Sequence, residues 1–240
     1  MVFFGFIFHE IKNLILEYFM KILFVIDSFF TGGAEFSTLE IVRYLKENGI
    51  QISVCKLKNK EPQYDASLFG LDISDVFTLP TGGFWTKRKA LQKSIQEFKP
   101  DIIHTHTAKA GFLGRLASLI STNRAMRVHT FHGHLLHGYF GRFKLSLIIN
   151  AERILGIFTH QLLAVGVRVR QDLLDVRIGT PEKFVVMPPG VSIGELPSKS
   201  QSKVDFGLQD GMLICALIGR VTQIKRPDRY ASERLRTGLA

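Results

Sequence analysis

Cysteine is almost missing from this sequence. Only Cys55 and Cys215 occur in 240 residues, far apart in what read as two buried strands, which excludes a disulfide scaffold and a cysteine-type zinc site. Proline is scarce, at 8 positions, and neither it nor the 21 glycines dominate any tract, so collagenous and low-complexity classes are excluded. The apolar run Val2 to Phe8 stops at His9-Glu10, well short of the roughly 18–20 residues that span a bilayer. No basic segment or small-residue cleavage site marks it as a secretory signal. G-x-G-x-x-G and a P-loop ending in Gly-Lys-Ser/Thr are absent, which removes the main support for dinucleotide and P-loop NTPase readings. What is present is enough apolar residue, 46%, for a substantial core, with 22% charged. The 31 Lys and Arg against 21 Asp and Glu give a net charge of +10, which favours phosphorylated ligands, anionic lipid or nucleic acid as partners.

Residues 1–19 carry Phe3, Phe4, Phe6, Phe8 and Phe19 ahead of Met20-Lys21, which directly precedes a strong strand pattern. They are read as a mis-assigned start or an extension, with a membrane-surface anchor as the alternative. From Met20 onward, short aliphatic runs alternate with segments of helical period. The expected strands are Ile22 to Asp27, Gln51 to Lys56, Asp75 to Leu79, Asp101 to His106, Arg127 to Phe131, Gln161 to Val165 and Lys183 to Met187. The expected helices are Ala34 to Asn48, Thr86 to Phe98, Lys109 to Ser121, Phe143 to Leu155 and Val167 to Val176. This alternation builds a parallel sheet covered on both faces. The fold class is α/β, a doubly wound Rossmann-like sheet.

The segment Pro188 to Lys203, with three prolines and four serines, reads as a linker. Beyond it an apolar strand, Met212 to Ile218, announces a second α/β domain. From Val204 that domain would have only 37 residues, too few for a core of its own. The expected division is therefore 1–19 extension, 20–187 first domain, 188–203 linker and 204–240 the truncated start of a second domain.

Chemistry concentrates at three places. After the first strand, Asp27 to Glu35 carries the pair Gly32-Gly33 leading into a helix. Such glycines let a ligand approach the backbone, and the helix start offers free N–H groups to an anion; a plain tight turn explains the same residues. Next, His104, His106, His129, His132, His134 and His137 cluster in the chain, at the carboxyl ends of two strands, where open α/β sheets gather ligands. No carboxylate or cysteine stands at ligand spacing and H-E-x-x-H is absent, so no metal is expected; structural or supporting roles, such as hydrogen bonding to loop backbone, account for most of these imidazoles, and one facing substrate is the sharper idea. Between them, Ala110, Gly114 and Ala117 make a slim helix face suited to close packing on the sheet, while Lys109 at that helix's start either serves an anion or is solvated.

Four runs taken together carry a resemblance: Gly32-Gly33-Ala34-Glu35, His104 to Arg115, His129-Thr-Phe-His-Gly-His134, and Gly219 to Asp228 with Arg220 and Lys225. In this order the chain resembles the family 4 glycosyltransferases of GT-B fold, from about Met20 to Arg229. The resemblance implies two Rossmann-like domains facing across a cleft, and transfer of a sugar, with retention, from a nucleotide diphosphate, UDP by expectation, to a glycan or lipid-linked acceptor. It places Gly32 and Gly33 near the diphosphate and acceptor, His132 beside the transferring sugar as the catalytic histidine, and Arg220 and Lys225 on the diphosphate. His104, His106, Lys109 and His134 fall at or just behind the cleft. Breaking the bond to the nucleotide leaves charge on a phosphate, which fixed cations and helix N–H groups stabilise. No D-x-D pair occurs, so no metal or other cofactor is indicated. The family's paired glutamates fall beyond residue 240, so this chain alone is expected to transfer little or no sugar.

Phe84, Trp85, Lys87, Arg88 and Lys89 put aromatics beside a basic helix start, as in segments lying on anionic membranes; a solvated basic face with Leu91, Ile95 and Phe98 packed inward is the alternative. The expected localisation is cytoplasmic, peripheral at the inner face of the membrane. Two other functions stay open: a non-catalytic basic module holding a phosphorylated ligand or RNA, although no RNA-recognition motif is present, and a GT-B sugar-nucleotide epimerase.

Overall fold

The computed structural model describes residues 20–29, 32–58, 66–133, 141–190, 193–209, 214, 216–217 and 227–229. It divides into two compact units, Met1–Ser192 and Ile193–Ala240. In the first, seven strands form one fully parallel sheet: β1 (Lys21–Ile26), β2 (Gln51–Lys56), β3 (Val76–Thr78), β4 (Ile102–His106), β5 (Met126–Phe131), β6 (Gln161–Ala164) and β7 (Phe184–Val186). The helices are α1 (Gly33–Glu47), α2 (Phe84–Phe98), α3 (Ala108–Ile120), α4 (Arg142–Phe158) and α5 (Val167–Asp175). The seven strands expected before the linker all form, with no end moved by more than one residue; of the eighth, Met212 to Ile218, the described residues Ile214, Ala216 and Leu217 carry no strand and the rest lies outside the described residues.

The β1 sequence Lys-Ile-Leu-Phe-Val-Ile is apolar at consecutive positions because both of its faces are covered. Ile22, Phe24 and Ile26 pack with Leu39, Val42 and Leu45 of α1; Leu23 and Val25 pack with Leu91 and Ile95 of α2 and Ala110, Leu113 and Ala117 of α3. A third cluster joins Phe131, Leu162 and Phe184 to Val169 and Leu173 of α5. Helix α1 ends where Gly49 takes φ +80, so that the Gly49 and Ile50 N–H groups return to the Lys46 and Leu45 carbonyls at 2.9 and 3.1 Å, a left-handed closure that glycine permits without strain.

The strand order is β3-β2-β1-β4-β5-β6-β7. The chain winds outward from β1 to β3, then crosses back and winds the other way from β4. Between β1 and β4 the direction reverses, and at such a switch point the loops diverge and leave a crevice outside the strands' carboxyl ends. The Gly32-Gly33 turn, Lys109, His104, His106, His129 and His132 all belong to strand ends or to segments that leave the sheet at this edge.

Helix α4 runs one turn past its expected end at Leu155. Gly156 lets it pass the Gly179 backbone, 3.3 Å from where a Cβ would stand, and Lys183 Nζ donates to the Gly156 and Ile157 carbonyls at 3.0 and 2.7 Å, a cation at the negative end of the helix. In the second unit, α6 (Lys199–Asp205) lies partly within the segment read as linker. Its sign was in the sequence: Ser198 stands three residues before Gln201, and its hydroxyl accepts from the Gln201 N–H at 3.1 Å, an N-cap that a count of serines and prolines conceals.

Candidate functional site

At the carboxyl edge of β4 and β5, three threonines and four histidines form two hydrogen-bonded groups built by strand register: Thr105 with His129 on the face covered by α3, and His104, His106, Thr130 and His132 with Thr38 on the face covered by α1. In the parallel pair, Thr105 stands opposite His129 and His106 opposite Thr130, so alternating His and Thr on one strand meet alternating Thr and His on the other. Thr105 Oγ1 donates to the Val128 carbonyl and lies 2.8 Å from His129 Nδ1. His104 Nε2 lies 2.8 Å from Thr130 Oγ1. His106 Nδ1 lies 2.8 Å from His132 Nε2 and 3.1 Å from Thr38 Oγ1. Thr38 comes from α1, across the crevice, and its hydroxyl donates to the Ala34 carbonyl at 2.7 Å. The His104 and His106 rings lie against each other, their centroids 4.1 Å apart and their planes tilted by 38°, beside Phe24.

Burial sets the charge state. His104 is pulled from an ordinary 6.5 to about 3 by desolvation and then by its neighbour His132, and His132 to about 4 by desolvation. His106 and His129 lie well below the usual histidine range, first through burial, then through His104 for the former and the Arg115 guanidinium for the latter. All four are therefore neutral at pH 7, able to accept as well as donate hydrogen bonds. Structural hydrogen bonding, to loop backbone for example, was the expectation for most of them; the partners are threonine hydroxyls and one another, because register places those groups opposite each other. Among the described residues no three His, Cys, Asp or Glu side chains converge as a metal set.

Beneath this layer lies a charge pair. Arg115 of α3, 1% exposed, gives Nη2 to both oxygens of Glu152 on α4, at 2.8 and 2.7 Å, and Nε to the Gly111 carbonyl at 2.9 Å. The slim face of α3 packs as expected: Ala110 and Ala117 are fully buried, and a Cβ on Gly114 would stand 2.6 Å from Thr105. Gly111 is part of that face too, since a Cβ there would collide with the His129 ring.

At the glycine turn, Gly32 caps α1 in an extended conformation and Gly33 has nothing within 4 Å of a virtual Cβ. The Glu35 carboxylate lies against Gly32, so a negative side chain already complements the positive end of α1. Lys109 is exposed in the first turn of α3. Thr107, which precedes that helix, adopts φ +64 and ψ 164, a glycine-favoured conformation that costs a threonine about 1–3 kcal/mol.

The structure thus brings together His104, His106 and His132, and joins them to α1 through Thr38. His134, Arg220 and Lys225 lie outside the described residues. On α2, Trp85 is 67% exposed and Lys89 is exposed; Arg88 stacks over the Trp85 ring at 5.2 Å and Lys87 donates to the Leu57 carbonyl at 2.9 Å. Leu91 and Ile95 are fully buried and Phe98 packs against the same core, as expected of the inward face. A shallow hollow along α4, lined by Leu145, Ile149 and Arg153, shares none of the histidines. Sequence reasoning missed Thr38, Thr105, Thr130, Arg115 and Glu152. The strand-paired threonines had a readable sign, the His/Thr alternation in two successive strands; Thr38 had none.

An Escherichia coli protein, UDP-Gal:alpha-D-GlcNAc-diphosphoundecaprenol alpha-1,3-galactosyltransferase, is 27% identical over 150 residues, covering 59% of this chain and 38% of that protein. The capsular polysaccharide biosynthesis glycosyltransferase CapM of Staphylococcus aureus is 23% identical over 195 residues, covering 77% of this chain and 50% of that protein. The chain thus spans half the length or less of these relatives. Among solved structures, Anabaena HepE in complex with UDP and glucose superposes with a TM-score of 0.59 at 22% identity, over 78% of this chain and 50% of that one. The UDP-N-acetylglucosamine 2-epimerase of Rickettsia bellii superposes with a TM-score of 0.52 at 11% identity, over 72% of this chain and 45% of that one; at these identities the likeness is one of fold. Residues 31–195, which include the glycine turn, the histidine network and the Arg115–Glu152 pair, match the profile of Glycosyltransferase Family 4. The chain belongs to that family.

Proposed function

We propose that this chain is the acceptor-side half, with the start of the donor side, of a glycosyltransferase that moves a sugar from a nucleotide diphosphate, UDP in the first instance, to a glycan or lipid-linked acceptor in polysaccharide or glycolipid synthesis, with retention. The observation that carries the reading is the neutral histidine network at the β1/β4 switch point, within the span that matches the family. A neutral His132 suits a place beside an uncharged sugar, since it can donate or accept a hydrogen bond without adding charge. Gly32 and Gly33 are proposed to lie near the diphosphate and acceptor, and Arg220 and Lys225 to hold the diphosphate as charge builds on the leaving phosphate. His104, His106, Lys109 and His134 stand at or behind the cleft in this reading. The proposed division is a first domain from Met20 to Met187, a linker to Lys203 and a second domain from Val204.

Equilibrium binding of UDP-sugars and of RNA to the pure chain at two salt concentrations tests the reading. Preference for the nucleotide sugar, weakened by His132→Ala, is expected, with no measurable turnover. Affinity for RNA alone that vanishes with salt would replace the reading with that of a basic binding module, and sugar transfer by the pure chain would contradict the inactivity.

A lipid-linked acceptor agrees with the diphosphoundecaprenol in the name of the Escherichia coli relative. We place the protein at the cytoplasmic face of the membrane, held peripherally by Trp85 and Lys89 with Lys87 and Arg88 beside them. Among the described residues no helix is long and apolar enough to cross a membrane. Co-sedimentation with vesicles should then need anionic lipid and drop on Trp85→Ala; pelleting equal with neutral vesicles, or none at all, refutes the membrane contact.

A further inference from the structure

We propose that Thr38 and His106 are positioning residues that hold His132 as its Nδ1–H tautomer. Three distances carry the inference. The Thr38 hydroxyl spends its single hydrogen on the Ala34 carbonyl at 2.7 Å. Toward His106 Nδ1, 3.1 Å away, that oxygen can only accept, so His106 carries its proton on Nδ1; two lone pairs would otherwise face each other in a buried site. The same N–H is directed at His132 Nε2, 2.8 Å away, which must be the bare nitrogen. A neutral His132 then keeps its proton on Nδ1, and among the described residues no hydrogen bond engages that atom.

The fate of the other His106 nitrogen agrees. Its Nε2 is buried and finds no hydrogen-bond partner, the place for a lone pair rather than an N–H in this chain of donors. The order of donation is Thr38 to backbone, and His106 to Thr38 and His132 together. One helix of the sheet's first layer, α1, therefore dictates which nitrogen of a histidine after β5 bears a proton, although 94 positions separate Thr38 from His132. The consequence for transfer rests on the function proposed above: His132 would meet an oxygen of the sugar as a fixed hydrogen-bond donor, not as a base.

Long-range 1H–15N correlation spectra of the ligand-free chain, labelled at histidine, test the tautomer without any reaction. At neutral pH, His132, assigned by the loss of its signals in His132→Gln, should show a protonated, pyrrole-like Nδ1 and an unprotonated Nε2 shifted far downfield. Thr38→Val removes the accepting oxygen and should move His132 toward the Nε2–H form, while Thr38→Ser should restore the native pattern. A native His132 protonated at Nε2 overturns the proposal, whether or not the valine variant folds. So does a folded Thr38→Val chain with an unchanged pattern. If the tautomer is as stated while no nucleotide sugar binds, the relay stands and the transferase reading falls.

Discussion

Glu152→Ala is expected to destabilise the chain by about 3–5 kcal/mol, because it strands a buried guanidinium. Arg115 is 1% exposed and Glu152 3%. Burial lowers the guanidinium's hold on its proton, and the charge and hydrogen bonds of Glu152 offset part of that loss. An arginine does not escape by deprotonating, so without the carboxylate its charge is left with the Gly111 carbonyl and the neighbouring His129, while its own Nη1 already lacks a hydrogen-bond partner. Replacing both residues by apolar ones of similar bulk, Arg115→Met with Glu152→Leu, should recover most of the loss, since desolvating two charges costs about as much as their attraction returns. Urea midpoints of the two single variants and the double one measure the coupling. A Glu152→Ala chain within about 1 kcal/mol of the native one would show that water reaches the pair.

The second large effect is acid lability with a histidine onset. His104 titrates at about 3 and His132 at about 4 in the folded chain, against roughly 6.5 when unfolded. A lowered folded value means that the unfolded chain binds more protons, so the stability these groups contribute is complete above about pH 6.5 and is lost as the pH falls toward 3–4. By pH 5 each such imidazole costs about 2 kcal/mol. His106 and His129 shift in the same direction. The groups facing them are one another, Arg115 and the threonine hydroxyls of the network. Stability in urea should therefore fall steeply between pH 6.5 and 5, a range in which protonation of ordinary carboxylates contributes little, and His104→Gln should flatten the slope. A constant urea midpoint across that range would mean that the imidazoles are hydrated and the network is not closed.

The same network shows how far the chain can be read by eye. Aliphatic runs such as Ile22 to Ile26 and helical periods such as that of Leu91 and Ile95 are local patterns, and the elements formed where those patterns stood. The helix capped by Ser198 was overlooked because a short, polar helix has no apolar stripe to announce it. The histidines were visible as a group, yet their partners were not. Whether His129 meets loop backbone or the Thr105 hydroxyl depends on a register between two strands, and Arg115 inside a run of small residues gives no hint of Glu152, 37 positions later.

What the sequence determined by itself is therefore what short stretches of chain encode: alternating strands and helices, a parallel sheet, a glycine turn after β1, and motif runs whose order marks the family. The tertiary structure alone decided the strand order that opens a crevice between β1 and β4, the approach of Thr38 to His106, and the pairing of Arg115 with Glu152. Local patterns follow from the conformational preferences and burial of neighbouring residues, whereas these contacts join side chains tens of positions apart. Their partners are chosen only when sheet register and helix docking bring the two ends to hydrogen-bonding distance.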